Sequence, residues 1–195
     1  MKTRDEALAL LTEYTKSESL LKHAYSVEAA MRWYADYFKQ PQDELEKWGL
    51  TGLLHDFDYE AFPNPVDPDG HPYKGNQILL ELGYPEDLCK AIMGHATYSG
   101  VPRDTLMAKT LFAVDELSGL VTAATLVRPD KSLHSLTAKS VIKKMKDKGF
   151  AKGCNRDDIK LGAEELELEL SQHIENVISG LKGIASELGL DGSGL

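Results

Sequence analysis

Residues 19–34 read SLLKHAYSVEAAMRWY, in which Leu20, His23, Val27, Ala30, Met31 and Tyr34 recur at three- and four-residue steps. That spacing lays them along one stripe of an α-helix. His23, a polar side chain, faces inward with its apolar neighbours. The same periodicity extends in both directions. Thr3 and Glu6 form a capping-box pattern ahead of Ala7, Leu8, Leu11 and Tyr14, which predicts a first helix up to about Thr15. Ser17 or Ser19 then caps the second, which runs to about Phe38. Pro41 opens a third helix carrying Leu45, Trp48, Gly49, Gly52 and Leu53. Each glycine weakens a helix by about 1 kcal/mol relative to alanine, so close packing against a neighbour is the expected compensation.

The third helix leads into His55-Asp56 and then a loop from Glu60 to Gly70, whose Pro63, Pro65 and Pro68 do not fit regular structure. A fourth helix is expected from about His71 to Leu82, with Pro72 in its first turn and Gly83 at its end. A fifth starts at Pro85 and aligns Leu88, Ala91, Ile92 and His95. Asp104 caps a sixth, in which Leu111, Asp115, Ser118 and Thr122 share a face. Runs of β-branched or aromatic alternation are nearly absent, so the chain reads as all-α. Residues 1–128 form the helical core, 129–188 a helical extension packed on it, and 189–195 a flexible tail. Within the extension an acidic helix is expected from about Asp157 to Leu188. Ahead of it, Lys139, Lys143 and Lys146 share one face: a solvated face, an anion-binding rim, or a partner for the acidic helix.

The chain has 195 residues, with 22 Lys and Arg against 31 Asp and Glu, a formal net charge of −9. Its average field repels phosphate backbones and anionic lipid surfaces, so neither extended nucleic acid nor a membrane is an expected partner. The two cysteines, Cys89 and Cys154, form no CxxC and no ligand-like pair, which excludes a thiolate metal site or a disulfide framework. A reducing cytoplasm fits this usage. The charged start and the lack of a long apolar run point to a soluble, unprocessed chain.

Chemistry concentrates in the histidines. His23, His55, His71 and His95 fall at inward or end positions of successive predicted helices, Asp56 follows one of them, and Asp115 lies on an apolar helical face. A buried carboxylate costs several kcal/mol unless a cation or hydrogen bonds compensate. A single inward histidine is more often a satisfied core side chain, the class to which His134 and His173 are assigned, unless they face solvent. Asp115 alone reads equally as an ion-pair partner. The ordered set carries more, because six nitrogen and oxygen ligands from separate helices of one bundle could enclose one or two divalent ions.

The series His23, His55-Asp56 and Asp115 resembles the ligand pattern of the HD superfamily of metal-dependent phosphohydrolases, in its HDIG-like branch. Similar context surrounds each point: Gly-Leu-Leu-His-Asp at 52–56, Gly-His-Pro-Tyr-Lys-Gly-Asn at 70–76, Ile-Met-Gly-His at 92–95, and Val-Asp-Glu-Leu-Ser at 114–118. The likeness covers residues 20 to 128. It implies an HD-domain helical bundle with the metal site at its centre, the first metal held by His23, His55, Asp56 and Asp115. His71 and His95 would then match the additional histidines of two-metal members, with Asp56 as the bridge between the ions. After the dipeptide the chain departs from many HDIG members: Phe57-Asp58-Tyr59-Glu60 replaces Ile-Gly-Lys, and the phosphate-holding lysine is absent there.

Four imidazoles and two carboxylates favour borderline transition ions. Two divalent ions are expected, iron or manganese first, with magnesium, cobalt, nickel or zinc behind them. The resemblance implies hydrolysis of a small phosphomonoester or phosphodiester, such as a nucleotide, by a metal-activated water. Asp56 and Asp58 are the catalytic candidates, Asp58 as the group that orients the water or takes its proton. Lys74, three residues after His71, is a candidate for a substrate phosphate, and Arg103 and Arg128 for bidentate contacts. Each of these four side groups reads equally as a surface charge. Two alternatives stand beside the hydrolase: an HD-fold di-iron oxygenase using the same six ligands, and a non-catalytic metal or nucleotide sensor.

Overall fold

Thr3 accepts the backbone N–H of Glu6 while the Glu6 side chain accepts the N–H of Thr3, and this reciprocal cap starts α1 (Arg4–Tyr14). A computed structural model describes residues 2–65 and 67–193. After α1 come α2 (Glu18–Tyr37), α3 (Gln42–Leu54), α4 (Tyr73–Glu81), α5 (Glu86–His95) and α6 (Leu106–Leu126). Four further helices follow: α7 (Ala138–Met145), α8 (Arg156–Glu165), α9 (Leu170–Lys182) and α10 (Ala185–Leu188). No strand occurs among the described residues, so the fold is all-α. None of their helices is long and apolar enough to cross a membrane.

Two central helices organise the bundle. α2 packs against α3, α6 and α9, and α6 packs in addition against α5 and α8. The approach of α3 to α2 depends on Gly52: a Cβ there would stand 2.8 Å from the Val27 carbonyl oxygen and 2.9 Å from the Glu28 nitrogen. The expected compensation for a helical glycine is therefore present. Val27, Met31 and Tyr34 of α2 are fully buried, as are Leu53 and Leu54 of α3 and Leu111, Val114 and Leu117 of α6. Ile159, Ile174, Val177 and Leu181 belong to the same hydrophobic cluster, so the C-terminal helices share one core with the N-terminal ones.

Several boundaries differ from the sequence expectation. Thr105, whose hydroxyl accepts the Ala108 N–H, caps α6. Asp104 instead pairs with Lys90 at 2.7 Å. Ser17 occupies the cap position of α2 without a side-chain cap, and Glu60 accepts the N–H groups of Lys16 and Ser17 in its place. α4 begins at Tyr73, with Pro72 at its N-cap and not in its first turn, so His71 lies in the loop ahead of it.

The acidic stretch from Asp157 to Leu188 is three helices. α8 ends where Glu167 takes a positive φ of 56° and Leu168 N–H bonds back to the Ala163 carbonyl. α9 then takes its direction from the apolar side chains it buries against α2 and α6. The tail is also tied down: Leu190 is buried, its carbonyl accepts the Leu133 N–H at 2.8 Å, and Asp191 bridges Ser132. One buried leucine here outweighs the conformational freedom of the glycines around it. Residues 194 and 195 of the expected flexible tail lie outside the described residues.

Candidate metal centre

Five separate elements bring the six expected ligands together: His23, Asp56, His71, His95 and Asp115 line one cavity of about 480 Å³, and the buried His55 lies against Asp56 and Asp115. His23 projects from the middle of α2, His55 and Asp56 from the end of α3, His71 from the loop before α4, His95 from the last position of α5, and Asp115 from the middle of α6. Asp56 stands at the centre. Its Oδ1 lies 3.2 Å from His71 Nε2 and 3.3 Å from His95 Nε2, and its Oδ2 lies 3.4 Å from His55 Nε2. Asp115 Oδ1 lies 3.0 Å from His23 Nε2 and 3.4 Å from His55 Nε2. Two groups of donor atoms are compact enough to hold an ion: His23, His55 and Asp56, and Asp56, His71 and His95.

The opposite ring nitrogens fix the orientation. His55 Nδ1 donates to the Gly52 carbonyl at 2.8 Å and His95 Nδ1 to the Ile92 carbonyl at 2.5 Å. His71 Nδ1 donates to Asp58 Oδ1 at 2.7 Å. With Nδ1 committed to these acceptors, each Nε2 is the atom left to offer a lone pair to an ion, the arrangement that a metal-binding imidazole requires. His55 Nε2 is buried and has no hydrogen-bond partner. A buried polar atom left in this way calls for a ligand. The donor set therefore fits a divalent transition ion.

Charge in the metal-free cluster points the same way. Burial lowers the proton affinity of His55, but Asp56 and Asp115 outweigh it and hold the imidazole well above its ordinary range. His95 is raised for the same reason, with Asp56 as the compensating charge. Burial would raise Asp56, yet His55 and His95 keep it well below the usual carboxylate range, and His23 and His55 do the same for Asp115. The carboxylates thus draw positive charge into the cluster.

Asp58 does not face the cavity. It is buried, and its second oxygen accepts the Gly75 N–H at 2.7 Å. Gly75 permits this approach, since a Cβ there would stand 2.5 Å from the Asp58 carboxyl carbon. Asp58 therefore orients His71, and the expected contact with water is replaced by two protein hydrogen bonds.

The three expected phosphate-binding cations are likewise engaged elsewhere. Lys74 reaches Asp69 at 3.6 Å and Gln77 at 3.2 Å. Arg103 clamps Glu165 through two nitrogens and lies over the Phe112 ring. Arg128 pairs with Asp130 and Ser135. No Lys or Arg lines the cavity among the described residues.

Sequence reading missed Tyr59, Tyr98, Glu116, Cys154 and Asp158, all of which line the cavity. Glu116 carried a signal, since it follows a candidate ligand directly. Tyr98 lies three residues beyond His95, and its hydroxyl donates to the His71 carbonyl at 3.1 Å. Cys154 and Asp158 had no local signal, because the segment around them reaches the cavity only through tertiary packing. Asn155 N–H donates to Glu116 and holds that segment in place as a wall of the site. Burial raises the Glu116 carboxyl, with Asp115 adding to the effect, and burial also raises Asp158.

His173 is a buried structural histidine. Its Nδ1 accepts the Tyr34 hydroxyl at 2.5 Å and its Nε2 donates to the Ala113 carbonyl at 2.9 Å. His134 is exposed.

Comparison with curated proteins and with solved structures returns no match. A family model described as the HD domain matches residues 20–120, more than half of the chain and a span containing all six converging side chains. The chain belongs to the HD domain family, and so to a superfamily of metal-dependent phosphohydrolases.

Proposed function

We propose that the protein is a hydrolase of the HDIG-like branch that uses two transition-metal ions to cleave a small phosphomonoester or phosphodiester, such as a nucleotide. The observation that carries this reading is Asp56, whose two oxygens face different histidines: Oδ2 faces His55, and Oδ1 faces His71 and His95. A carboxylate presented in two directions suits a bridge between two ions. His23, His55 and Asp115 would complete one side, and His71 and His95 the other. When bound, the metal supplies Lewis acidity that activates water and takes up charge on a phosphoryl oxygen.

The chain's own residues do the rest. Asp56, Asp115, Glu116 and Asp158 give the cavity carboxylates but no Lys or Arg among its described lining residues, so a phosphate would be repelled without resident cations. Asp58, the Gly52 carbonyl and the Ile92 carbonyl hold the imidazoles in the tautomer that presents Nε2. Tyr59 and Tyr98, both about half exposed, stand at the mouth, where their rings offer a face to an organic leaving group.

Release of phosphate from nucleotides and sugar phosphates, and of phosphomonoesters from linear and cyclic phosphodiesters, under anaerobic conditions with manganese or iron restored to chelator-treated protein, tests the proposal. Metal-dependent release supports it. Oxygen consumption in a parallel aerobic assay, with no hydrolysis product, would replace the hydrolase with an oxygenase, and tight binding without turnover would replace it with a sensor.

A further inference from the structure

A second cavity, of about 720 Å³, opens between α7 and the start of α8. Its rim carries Lys146, Lys148, Lys152 and Lys160, and its floor is built from Ile142, Met145 and Leu170, which pack against the core. Lys146, Lys148 and Lys152 are exposed and make no ion pair with any described residue. Lys160 pairs with Asp157, the carboxylate that also lines the groove, at 2.9 Å. Arg156 turns inward and donates to the carbonyls of Phe150, Ala151 and Cys154, which fixes the loop bearing Lys152.

This concentration runs against the charge of the molecule. Residues 131–160 carry nine Lys and Arg against three Asp, whereas the remaining 165 carry 13 against 28 Asp and Glu. Five of the nine, Lys146, Lys148, Lys152, Arg156 and Lys160, line the groove, and cations gathered there in an acidic protein create a local field that attracts anions. Position adds the second argument. Cys154 lines both this groove and the metal cavity, so the two sites adjoin across a single residue. The metal cavity has no Lys or Arg among its described lining residues. A ligand anchored there finds its neighbouring free cations in the groove.

We infer that the groove between α7 and α8 is a second phosphoryl-binding site, which holds the distal phosphoryl group of a bis-phosphorylated small molecule whose first phosphoryl group lies at the histidine cluster. The second half of this inference rests on the phosphohydrolase reading above. The apolar floor suits the carbon skeleton between the two groups. A nucleic-acid strand is disfavoured, because the groove has the volume of a small-ligand pocket and its neighbouring wall carries Glu116 and Asp158.

Two binding measurements, neither of which depends on turnover, test it. Calorimetric titration of metal-free protein with inorganic pyrophosphate reads binding that needs no metal, and two paired charge reversals locate it. Lys148→Glu/Lys152→Glu, at exposed positions, should weaken binding at least about tenfold. The equal charge change Lys131→Glu/Lys139→Glu, outside the groove, should weaken it less than about threefold, as expected of a screened long-range field. No pyrophosphate binding, or equal losses in the two variants, would overturn the site. Manganese-loaded protein is then titrated with alkyl phosphonates and with α,ω-bisphosphonates of four to eight carbons, which lack a cleavable ester. At least one spacer should gain about tenfold or more over its monophosphonate through bivalent attachment, and Lys148→Glu/Lys152→Glu should abolish the gain. Equal affinities at every length, or a gain that survives charge reversal, would overturn the link between the sites. Failure of the phosphohydrolase reading would leave pyrophosphate binding intact, and failure of the groove would leave metal-dependent turnover intact.

Discussion

Asp58 holds His71: the carboxylate accepts Nδ1–H at 2.7 Å with one oxygen and the Gly75 N–H at 2.7 Å with the other, so both are used inside the protein. A partner of this kind fixes ring orientation and raises ligand basicity, and its loss costs about 10–100-fold in metal affinity. Asp58→Asn should therefore weaken one of two metal-binding steps by about that factor while helical content is unchanged. Metal titration followed by calorimetry, with circular dichroism as the control, checks this. Two unaltered binding steps would show that His71 needs no such support.

Metal binding should expel protons. In the metal-free protein the carboxylates hold His55 well above, and His95 above, the ordinary imidazole range, so an ion entering the cluster must compete with protons for these rings. Raising the pH removes that competition, and apparent affinity should climb about tenfold per pH unit for each proton displaced. Calorimetry in buffers of different ionisation enthalpy measures the number released. Zero release near pH 7 would contradict the charge state assigned to the cluster.

His173, whose pKa is shifted in the opposite direction, makes the stability of the fold itself depend on pH. Burial pushes its pKa down to about 4, against about 6.5 for an unfolded histidine. Above about pH 6.5 the ring is neutral in both states and the fold keeps its full stability. As the pH falls from there towards 4, the unfolded chain takes a proton that the native ring refuses, and the linked loss is about 2–3 kcal/mol by pH 4.5. Urea unfolding near pH 7 and near pH 4.5 should show a drop smaller by about that amount in His173→Gln than in the parent. Equal drops would place the acid sensitivity elsewhere.

Gly52→Ala separates local preference from packing. Helix propensity alone predicts stabilisation of about 1 kcal/mol. The added Cβ would instead stand 2.8 Å from the Val27 carbonyl oxygen, closer than nonbonded atoms tolerate, and overpacking of this kind costs about 1–3 kcal/mol. Chemical denaturation should show destabilisation, and a more stable variant would mean that α2 and α3 can separate at little cost.

The legible and illegible parts of the molecule divide on physical lines. His23, His55, His95 and Asp115 could be found because each sits on, or at the end of, a helix whose apolar spacing reports its inward face; His71 was expected at the start of α4 and lies in the loop before it. The fold class followed from that same spacing. Asp58 was visible as a residue but its role was not, since the Gly75 approach that occupies its second oxygen is a tertiary contact. Lys74 shares a helical spacing with His71, yet His71 lies outside α4, so the argument from a common helix face did not apply. Arg103 shows the same limit: its partner Glu165 is 62 residues away. The breaks within the acidic C-terminal stretch were set by the core it packs on, which composition does not encode.

Metal content per chain by elemental analysis, on protein purified without oxygen and without a histidine affinity column, bears most directly on the converging side chains. About two iron or manganese ions per chain are expected, falling to about one in His71→Ala and to almost none in Asp56→Ala, which removes the shared ligand. A single ion in the parent protein, or full occupancy retained without the Asp56 carboxylate, would contradict the dinuclear site bridged by that residue.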